Sequence, residues 1–171
     1  LTGGQLGAFY PDLNAPDFEA ALAVFHQRYS TNTFPNWALA QPFRLLAHNG
    51  EINTISGNRS WMRARDLAAR YSQSQEDFSY LGSAIWSKGS DSASLDNALE
   101  LSVRSNHEVT QAMMMLIPEA YERSEEMSPE LRAFYNYAAS VTEPWDGPAG
   151  IAFTDGRIVG AALDRNGLRP S

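Results

Sequence analysis

Four residues in three short segments have the types and spacing to do chemistry: Arg28, the dipeptide Asn49-Gly50, and Asp91. Attack on an amide puts negative charge on its oxygen, and the side-chain NH2 of Asn49 beside the backbone N–H of Gly50 offers two donors for that charge. A guanidinium can bind a carboxylate through two parallel hydrogen bonds, and a carboxylate can pair with an ammonium group. The set fits a site that grips an α-amino acid while its side-chain carbonyl is attacked.

Each of these residues also has a simpler structural interpretation. Asn49-Gly50 is a common turn dipeptide. Arg28 could form a surface ion pair or pack against its neighbours. Asp91 follows Gly89-Ser90, so it would lie in the first turn of a helix, where the helix dipole favours a carboxylate. Taken one at a time, the structural interpretation is the commoner one for every residue in the set.

Other reaction types find less support in the sequence. The chain contains no cysteine, so the commonest nucleophile for such a site is absent, and no Gly-x-Ser-x-Gly string offers a serine instead. His26, His48 and His107 lack the short spacing of metal ligands. A net charge of -7 argues against a surface for nucleic acid or anionic membrane, and no apolar run approaches the roughly 18 residues of a membrane span.

A chain of 171 residues has the length of one domain. Local sequence patterns predict the elements that must position these residues. An apolar run over 43–47 predicts a buried strand that ends at His48-Asn49-Gly50. Apolar spacing and capping residues predict helices from Thr54 to about Tyr71, from Ser90-Asp91-Ser92 onwards, and over 107–120 and 128–137. Segments 150–153 and 158–163 flank Asp155-Gly156, a hairpin signal. Helices in the middle and strands at both ends predict an α+β plan.

Residues 18–28 carry two conflicting signals. Glu19 to Phe25 favours helix by propensity, whereas the β-rich stretch from Phe25 to Thr33 favours strand. The residues alone leave both readings open.

Several long segments together resemble one family, the glutaminase domain of glutamate synthase large chains, and the resemblance covers essentially the whole chain. They are His26 to Trp37, Ala40 to Arg44, Leu46 to Thr54, Gly89 to Asn97, Ala112 to Ala120, Glu143 to Pro148, and Leu163 to Pro170. That family belongs to the class II glutamine amidotransferases. It implies the N-terminal-nucleophile hydrolase fold, a four-layer αββα sandwich, here incomplete on its N-terminal side. It also implies that residues 18–28 form a strand.

The resemblance implies a role for each site residue. Arg28 would hold the α-carboxylate of glutamine and Asp91 its α-ammonium group. The Asn49 side chain and the Gly50 backbone N–H would form the oxyanion hole. Thr31 would place a hydroxyl near the substrate, and His48 would support the Asn49 loop rather than act as a base.

The same resemblance sets expectations for the rest of the protein. We expect residues 1–171 to be the C-terminal part of a single glutaminase domain, truncated at both ends, with the nucleophilic Cys upstream of Leu1. The piece alone should then be inactive. FMN and an iron–sulfur cluster would lie in other domains of the same polypeptide, with a small subunit or ferredoxin as electron donor. The expected location is the cytoplasm, or the plastid for a ferredoxin-dependent enzyme of plant type.

Two alternatives stay open. The chain could belong to another class II amidotransferase, such as those that make asparagine, amino sugars or purines, although Phe34 to Trp37 and Asp164 to Pro170 speak against it. It could also be a non-catalytic descendant that binds an amino acid. An upstream cysteine at the mature N-terminus would separate an enzyme from such a sensor.

Overall fold

A computed structural model describes residues 2–27, 34, 36–71 and 82–169 of the chain. Its sheet has three antiparallel strands in the order β1-β2-β3, where β1 is Leu46–Gly50, β2 is Ala149–Thr154 and β3 is Val159–Leu163. In the register of the sheet, Asn49 lies opposite Gly150, and Gly150 lies opposite Leu163. This pairing brings a residue from the first third of the chain beside residues near its end.

In the described part of the chain, four helices lie between β1 and β2. The long ones are α2 (Ile55–Tyr71), α3 (Asp91–Arg104), α4 (Val109–Leu116) and α5 (Pro129–Val141), and a single short turn, α1 (Leu6–Phe9), precedes them. Three short 3-10 segments, Gly3–Gln5, Pro11–Asn14 and Trp37–Leu39, complete the described elements. In the described ranges, no helix combines the length and apolar character needed to cross a bilayer.

The core lies between one face of the sheet and the helices. Strand side chains alternate between the two faces, so Leu46 and His48 of β1 are buried with Ile151 and Phe153 of β2. Helices α3 and α4 complete this core with apolar side chains, among them Leu95, Leu99, Val109, Ala112 and Leu116. By the same alternation, Asn49 projects from the opposite face of the sheet.

The α+β plan predicted from the sequence is confirmed, with shifts at the element ends. Helix α4 ends at Leu116, earlier than predicted, because Pro118 disfavours helical backbone at Ile117, whose φ and ψ are -125° and 74°. Helix α5 continues past Tyr137 to Val141. The hairpin connection is a four-residue turn, 155–158, in which one Asp155 oxygen accepts the N–H groups of residues 157 and 158 at 2.8 Å each.

The strand predicted over residues 18–28 is wrong where the structure describes it. Residues 18–27 form neither helix nor strand, and Arg28 lies outside the described residues. An extended segment becomes a strand only when a neighbour takes up its backbone hydrogen bonds. Among the described residues the sheet is limited to β1, β2 and β3, so the β propensity of this segment finds no partner there.

Side chains form hydrogen bonds with the backbone groups on the edge of β1 that does not pair with β2. Asp96 of α3 is 2% exposed, and its carboxylate accepts the backbone N–H groups of Arg44 at 3.3 Å, Leu45 at 2.9 Å and Leu46 at 3.1 Å. Burial raises the pKa of Asp96, although these three donors act in the opposite direction. Further along the edge, the Gln41 side chain accepts from the backbone N–H of His48 at 2.6 Å and donates to its carbonyl at 2.9 Å.

We expect Asp96→Ala to loosen β1. The change leaves three backbone N–H groups, those of Arg44, Leu45 and Leu46, without their acceptor, which costs about 1–3 kcal/mol for each such group that is buried. Amide hydrogen exchange measured by mass spectrometry on the full-length protein should be faster at Leu46. Glu100→Gln on the same helix is the control, because Glu100 binds the exposed side chain of Arg44 and such pairs contribute little. Unchanged exchange at Leu46 would contradict this prediction.

Candidate active site

Asn49 projects into an open cavity on the sheet face away from the core. The cavity has a volume of about 360 Å³ and is lined by residues from all three strands and by two further segments, including Phe25, His26, Asn49, Ala152, Ala161 and Arg169. Most of the strand residues that line it are alanine or glycine, which leaves room above the sheet. A small molecule that reached this space would meet the Asn49 amide directly.

Gly50 is the last residue of β1, and its backbone conformation and surroundings leave no room for a side chain. Its φ is +152°, and a Cβ atom at this position would lie 1.8 Å from the carbonyl oxygen of Pro148. The next residue, Glu51, donates its N–H to the same carbonyl at 2.9 Å. In an antiparallel pair the N–H groups of successive residues point to alternate edges, so the Gly50 N–H lies on the edge that carries the His48 N–H, away from β2.

His48 lies on the core side of β1 and is 2% exposed. Its Nδ1 is 2.7 Å from the hydroxyl of Ser92 at the start of α3, while its Nε2 makes no hydrogen bond with the described part of the chain. Burial is the main cause that lowers the pKa of His48, and the nearby carboxylate of Asp91 only partly offsets it. The neutral ring therefore ties β1 to α3 beneath Asn49.

Asp91 stands at the first turn of α3, as the sequence predicts. Ser90 caps this helix by accepting the N–H of Ala93 at 3.1 Å, in the manner expected of a serine N-cap. One Asp91 oxygen accepts the backbone N–H of Ile52 at 2.8 Å, and the other receives a long contact of 3.4 Å from the Ser92 hydroxyl. The carboxylate is thus fixed against the loop that leaves Asn49-Gly50, with acceptor capacity to spare.

Arg59 holds the start of α3 in place from α2. Its guanidinium donates to the Gly89 carbonyl at 2.7 Å, the Ser90 carbonyl at 3.1 Å and the Ser94 hydroxyl at 3.0 Å. Thr54, just before α2, ties that helix to the segment before β2, since its hydroxyl accepts the N–H of Asp146 at 2.9 Å. This role of Arg59 was not predicted, because an arginine within an amphipathic helix carries no local sign of its partner.

Asp164 and Arg169 lie in the string from Leu163 to Pro170, and no individual role was predicted for either residue. Asp164 is 5% exposed, and its carboxylate accepts four backbone N–H groups, from Ala149 at 3.1 Å, Asn166 at 3.2 Å, Leu168 at 2.8 Å and Arg169 at 2.9 Å. The loop after β3 is thereby wrapped around one side chain. At the end of this loop, the Arg169 guanidinium donates to the Asn49 side-chain oxygen.

We expect acid to weaken the stabilisation that Asp164 gives to the loop after β3. Burial works to raise the pKa of Asp164, but its four N–H donors outweigh burial and lower it. The stabilisation is therefore complete above the unfolded pKa of about 3.9 and is lost as pH falls through the lower folded value. Exchange at Leu168, corrected for intrinsic rates, should rise in that window, and Asp164→Ala should show the same rise at neutral pH. Asp155→Ala in the hairpin turn serves as the control. Wild-type protection of the Leu168 amide from exchange in Asp164→Ala would contradict this role of Asp164.

The structure brings together only part of the predicted set. Asp91 accepts the N–H of Ile52, two residues after Gly50, whereas the Asn49 side chain projects from the sheet face away from the core. Arg28 and Thr31 lie outside the described residues, so their roles stay predictions. Within the part of the chain that the structure describes, no group of three or more His, Asp or Glu side chains could hold a metal ion.

Comparison with known proteins assigns this arrangement to a family. The family model for class II glutamine amidotransferases matches residues 1–171. The chain is 50% identical over 99% of its length to glutamate synthase (NADH) from Saccharomyces cerevisiae. It is 52% identical over 98% of its length to ferredoxin-dependent glutamate synthase from Cyanidium caldarium, and 50% identical over 100% to the glutamate synthase (NADPH) large chain from Bacillus subtilis.

The match covers a small part of each relative. The chain spans 8% of the yeast protein and 11% of the other two. The family match, by contrast, extends over every residue of this chain, including the segments that carry Asn49-Gly50, Asp91 and Arg169. The chain belongs to the class II glutamine amidotransferases.

Proposed function

We propose that this chain is the glutamine-binding and oxyanion-hole portion of the glutaminase domain of a glutamate synthase. In the full-length protein it would hydrolyse L-glutamine to glutamate and ammonia, and the ammonia would pass to 2-oxoglutarate for reductive synthesis of a second glutamate. The observation that carries the proposal is the hydrogen bond from Ile52 to the helix-borne carboxylate of Asp91, which ties that carboxylate to the chain three positions after the amide donor Asn49. Identity near 50% with three glutamate synthases supports it.

The site residues suit the substrate at both of its ends. The α-ammonium group of glutamine would bind the free acceptor capacity of Asp91, and the α-carboxylate would bind Arg28 in a bidentate pair. Thr31 would place its hydroxyl nearby. The side-chain amide of glutamine would then lie against Asn49 and Gly50, where the oxygen of its carbonyl can be held.

The chemistry needs a nucleophile that this sequence does not contain, since it has no cysteine. We propose an N-terminal Cys whose thiolate attacks the amide carbon while its own α-amino group takes the thiol proton. The oxygen becomes negatively charged, and the Asn49 amide and Gly50 N–H stabilise it. Collapse of this intermediate transfers a proton to the leaving nitrogen and releases ammonia. Water then hydrolyses the thioester and returns the thiol.

The remaining parts of the reaction would lie elsewhere in the polypeptide. We propose that FMN and an iron–sulfur cluster are held outside this chain; for the cluster, which is usually bound by Cys thiolates, this agrees with a sequence that contains no cysteine. We place both in other domains, with a small subunit or ferredoxin as electron donor. The curated relatives include NADH-, NADPH- and ferredoxin-named enzymes, so the donor is not assigned. A cytoplasmic or plastid location belongs to the same proposal.

The domain itself would be completed by chain from outside this sequence. We propose that residues 1–171 form the C-terminal part of a four-layer αββα sandwich, in which a second sheet packs on the face that carries Asn49. The cavity of about 360 Å³ on that face and the strand residues of small volume that line it support close approach of another layer.

The test is glutamine turnover by the full-length protein. We expect equimolar ammonia and glutamate from L-glutamine, and one covalent adduct of 6-diazo-5-oxo-L-norleucine on an N-terminal Cys, found by peptide mass spectrometry. The chain of residues 1–171 alone, without cysteine, should release no ammonia above background. Binding of glutamine by the full-length protein without ammonia release would overturn the proposal in favour of an amino-acid sensor.

A further inference from the structure

The contact between Arg169 and Asn49 fixes which way the Asn49 amide faces. The Arg169 guanidinium lies against the Oδ1 atom of Asn49. An asparagine amide can present either its oxygen or its NH2 group to a neighbour, but a guanidinium carries only donors. The atom that faces Arg169 must therefore be the oxygen. The NH2 group is directed away from Arg169, where it is free to donate to a bound group.

Arg169 is itself held before any substrate arrives. Its backbone N–H donates to the Asp164 carboxylate at 2.9 Å, and the loop turns back at Gly167, which has a φ of +61° and donates to the Asp164 carbonyl at 2.9 Å. The side chain of Arg169 runs along the sheet at Gly150, where a Cβ atom would lie 3.7 Å from its Cγ. Gly150 is the residue directly opposite Asn49. The guanidinium thus reaches Asn49 from a fixed base over a short path.

We propose that Arg169 is a positioning residue of the oxyanion hole, which locks the Asn49 amide with its NH2 group towards the oxyanion. The proposal rests on the proposed function, because it concerns the same site and reaction. Without the guanidinium, the Asn49 amide is free to rotate, and in some orientations its oxygen would repel the developing negative charge. A cation on Oδ1 also polarises the amide, which strengthens its NH2 group as a donor.

The test uses Arg169→Met in the full-length protein, with ammonia release from L-glutamine as the assay. We expect kcat to fall about 10- to 100-fold, less than the about 10²–10³-fold loss typical when an oxyanion donor is removed. The KM for glutamine and the affinity for the product L-glutamate should change little, because the oxyanion hole contributes little to binding in the ground state. Arg169→Lys should restore part of the lost kcat, since a lysine keeps a cationic donor near Asn49.

Arg165→Met is the matched control. Arg165 lies in the same loop and is also an arginine, but its guanidinium pairs with Glu122, so kcat should stay at the wild-type value. Normal L-glutamate affinity in Arg169→Met separates a lost orientation from a disrupted fold. If Arg169→Met does not fold, Arg169→Lys and Arg169→Gln are assayed in its place. The proposal would be overturned if both of these variants had the kcat of the wild-type protein.

A double-mutant cycle identifies Asn49 as the residue through which Arg169 acts. In an Asn49→Ala background, Arg169→Met should lower kcat less than twofold further, because the group it orients is gone. A full additional 10- to 100-fold loss would overturn the proposal, as would wild-type kcat in Arg169→Met itself. If Asn49→Ala alone leaves kcat unchanged, the oxyanion-hole assignment of the proposed function fails instead, so the two failures are distinguishable.

Discussion

Asn49→Ala in the full-length protein is expected to lower the kcat for ammonia release by about 10²–10³-fold, or about 3–4 kcal/mol of transition-state stabilisation. The reason is that one of two donors to the oxyanion is removed, while the contacts that hold ground-state glutamine remain. The KM should therefore stay close to its wild-type value. Steady-state measurement of ammonia over a range of glutamine concentrations gives both constants.

Asn49→Asp sharpens this expectation. An aspartate would pair one oxygen with the Arg169 guanidinium that now contacts the asparagine oxygen, and its second oxygen would face the oxyanion with a partial negative charge. The order of kcat should be wild type, then alanine, then aspartate. Asn53→Ala, an exposed asparagine on the same loop, should retain wild-type kcat. An aspartate variant more active than the alanine variant would contradict the placement of the oxyanion beside Asn49.

The second large effect is expected at Asp91, and it falls on substrate binding. Asp91→Asn keeps an oxygen that can accept the N–H of Ile52 but loses the charge that pairs with the α-ammonium group of glutamine. A hydrogen bond to a charged group contributes about 1.5–3 kcal/mol, so KM should rise by roughly 10- to 150-fold. The kcat should change much less, because the α-ammonium group lies away from the reacting carbonyl.

A substrate analogue separates this role from a structural one. Glutaramate is glutamine with hydrogen in place of the α-amino group, so it cannot use a carboxylate at this position. The wild-type protein should prefer glutamine strongly over glutaramate, and Asp91→Asn should lose most of that preference. Glu100→Gln is the control, since it removes a carboxylate from the same helix, where Glu100 pairs with Arg44, and leaves Asp91 unchanged. A preference that is unchanged in Asp91→Asn would show that Asp91 only anchors Ile52.

Much of the local structure could be predicted because it depends on neighbouring residues. The Ser90 cap and the apolar spacing after it place α3, and with it Asp91 at a helix start. The run over 43–47 predicts a strand that delivers Asn49-Gly50 to its end, as β1 does. The strand predicted over residues 18–28 is wrong over the described residues 18–27, because β propensity produces a strand only when a partner strand is present. The sequence pattern of the segment does not show whether a partner is present.

The residues that complete the site could not be predicted in this way. Arg59 and Arg169 bind groups 30 and 120 positions away, and Asp164 joins its own loop to Ala149. Local sequence pattern does not show which distant group such a side chain will bind. Arg28 and Thr31 lie outside the described residues, and their roles in binding glutamine still rest on the resemblance and on the proposal made from it.

By itself, the sequence determined the α+β plan, and its resemblance to a family led to the prediction that Asn49, Gly50 and Asp91 act on glutamine with a nucleophile that a chain without cysteine does not supply. Only the tertiary structure decided how Asn49 is oriented, since Arg169 reaches it across 120 positions of sequence. The physical reason is that the register of β1 against β2 and the four donors collected by Asp164 set that contact. The bond from Ala149 to Asp164 and the contact of Arg169 with Asn49 form only after separate segments have packed together.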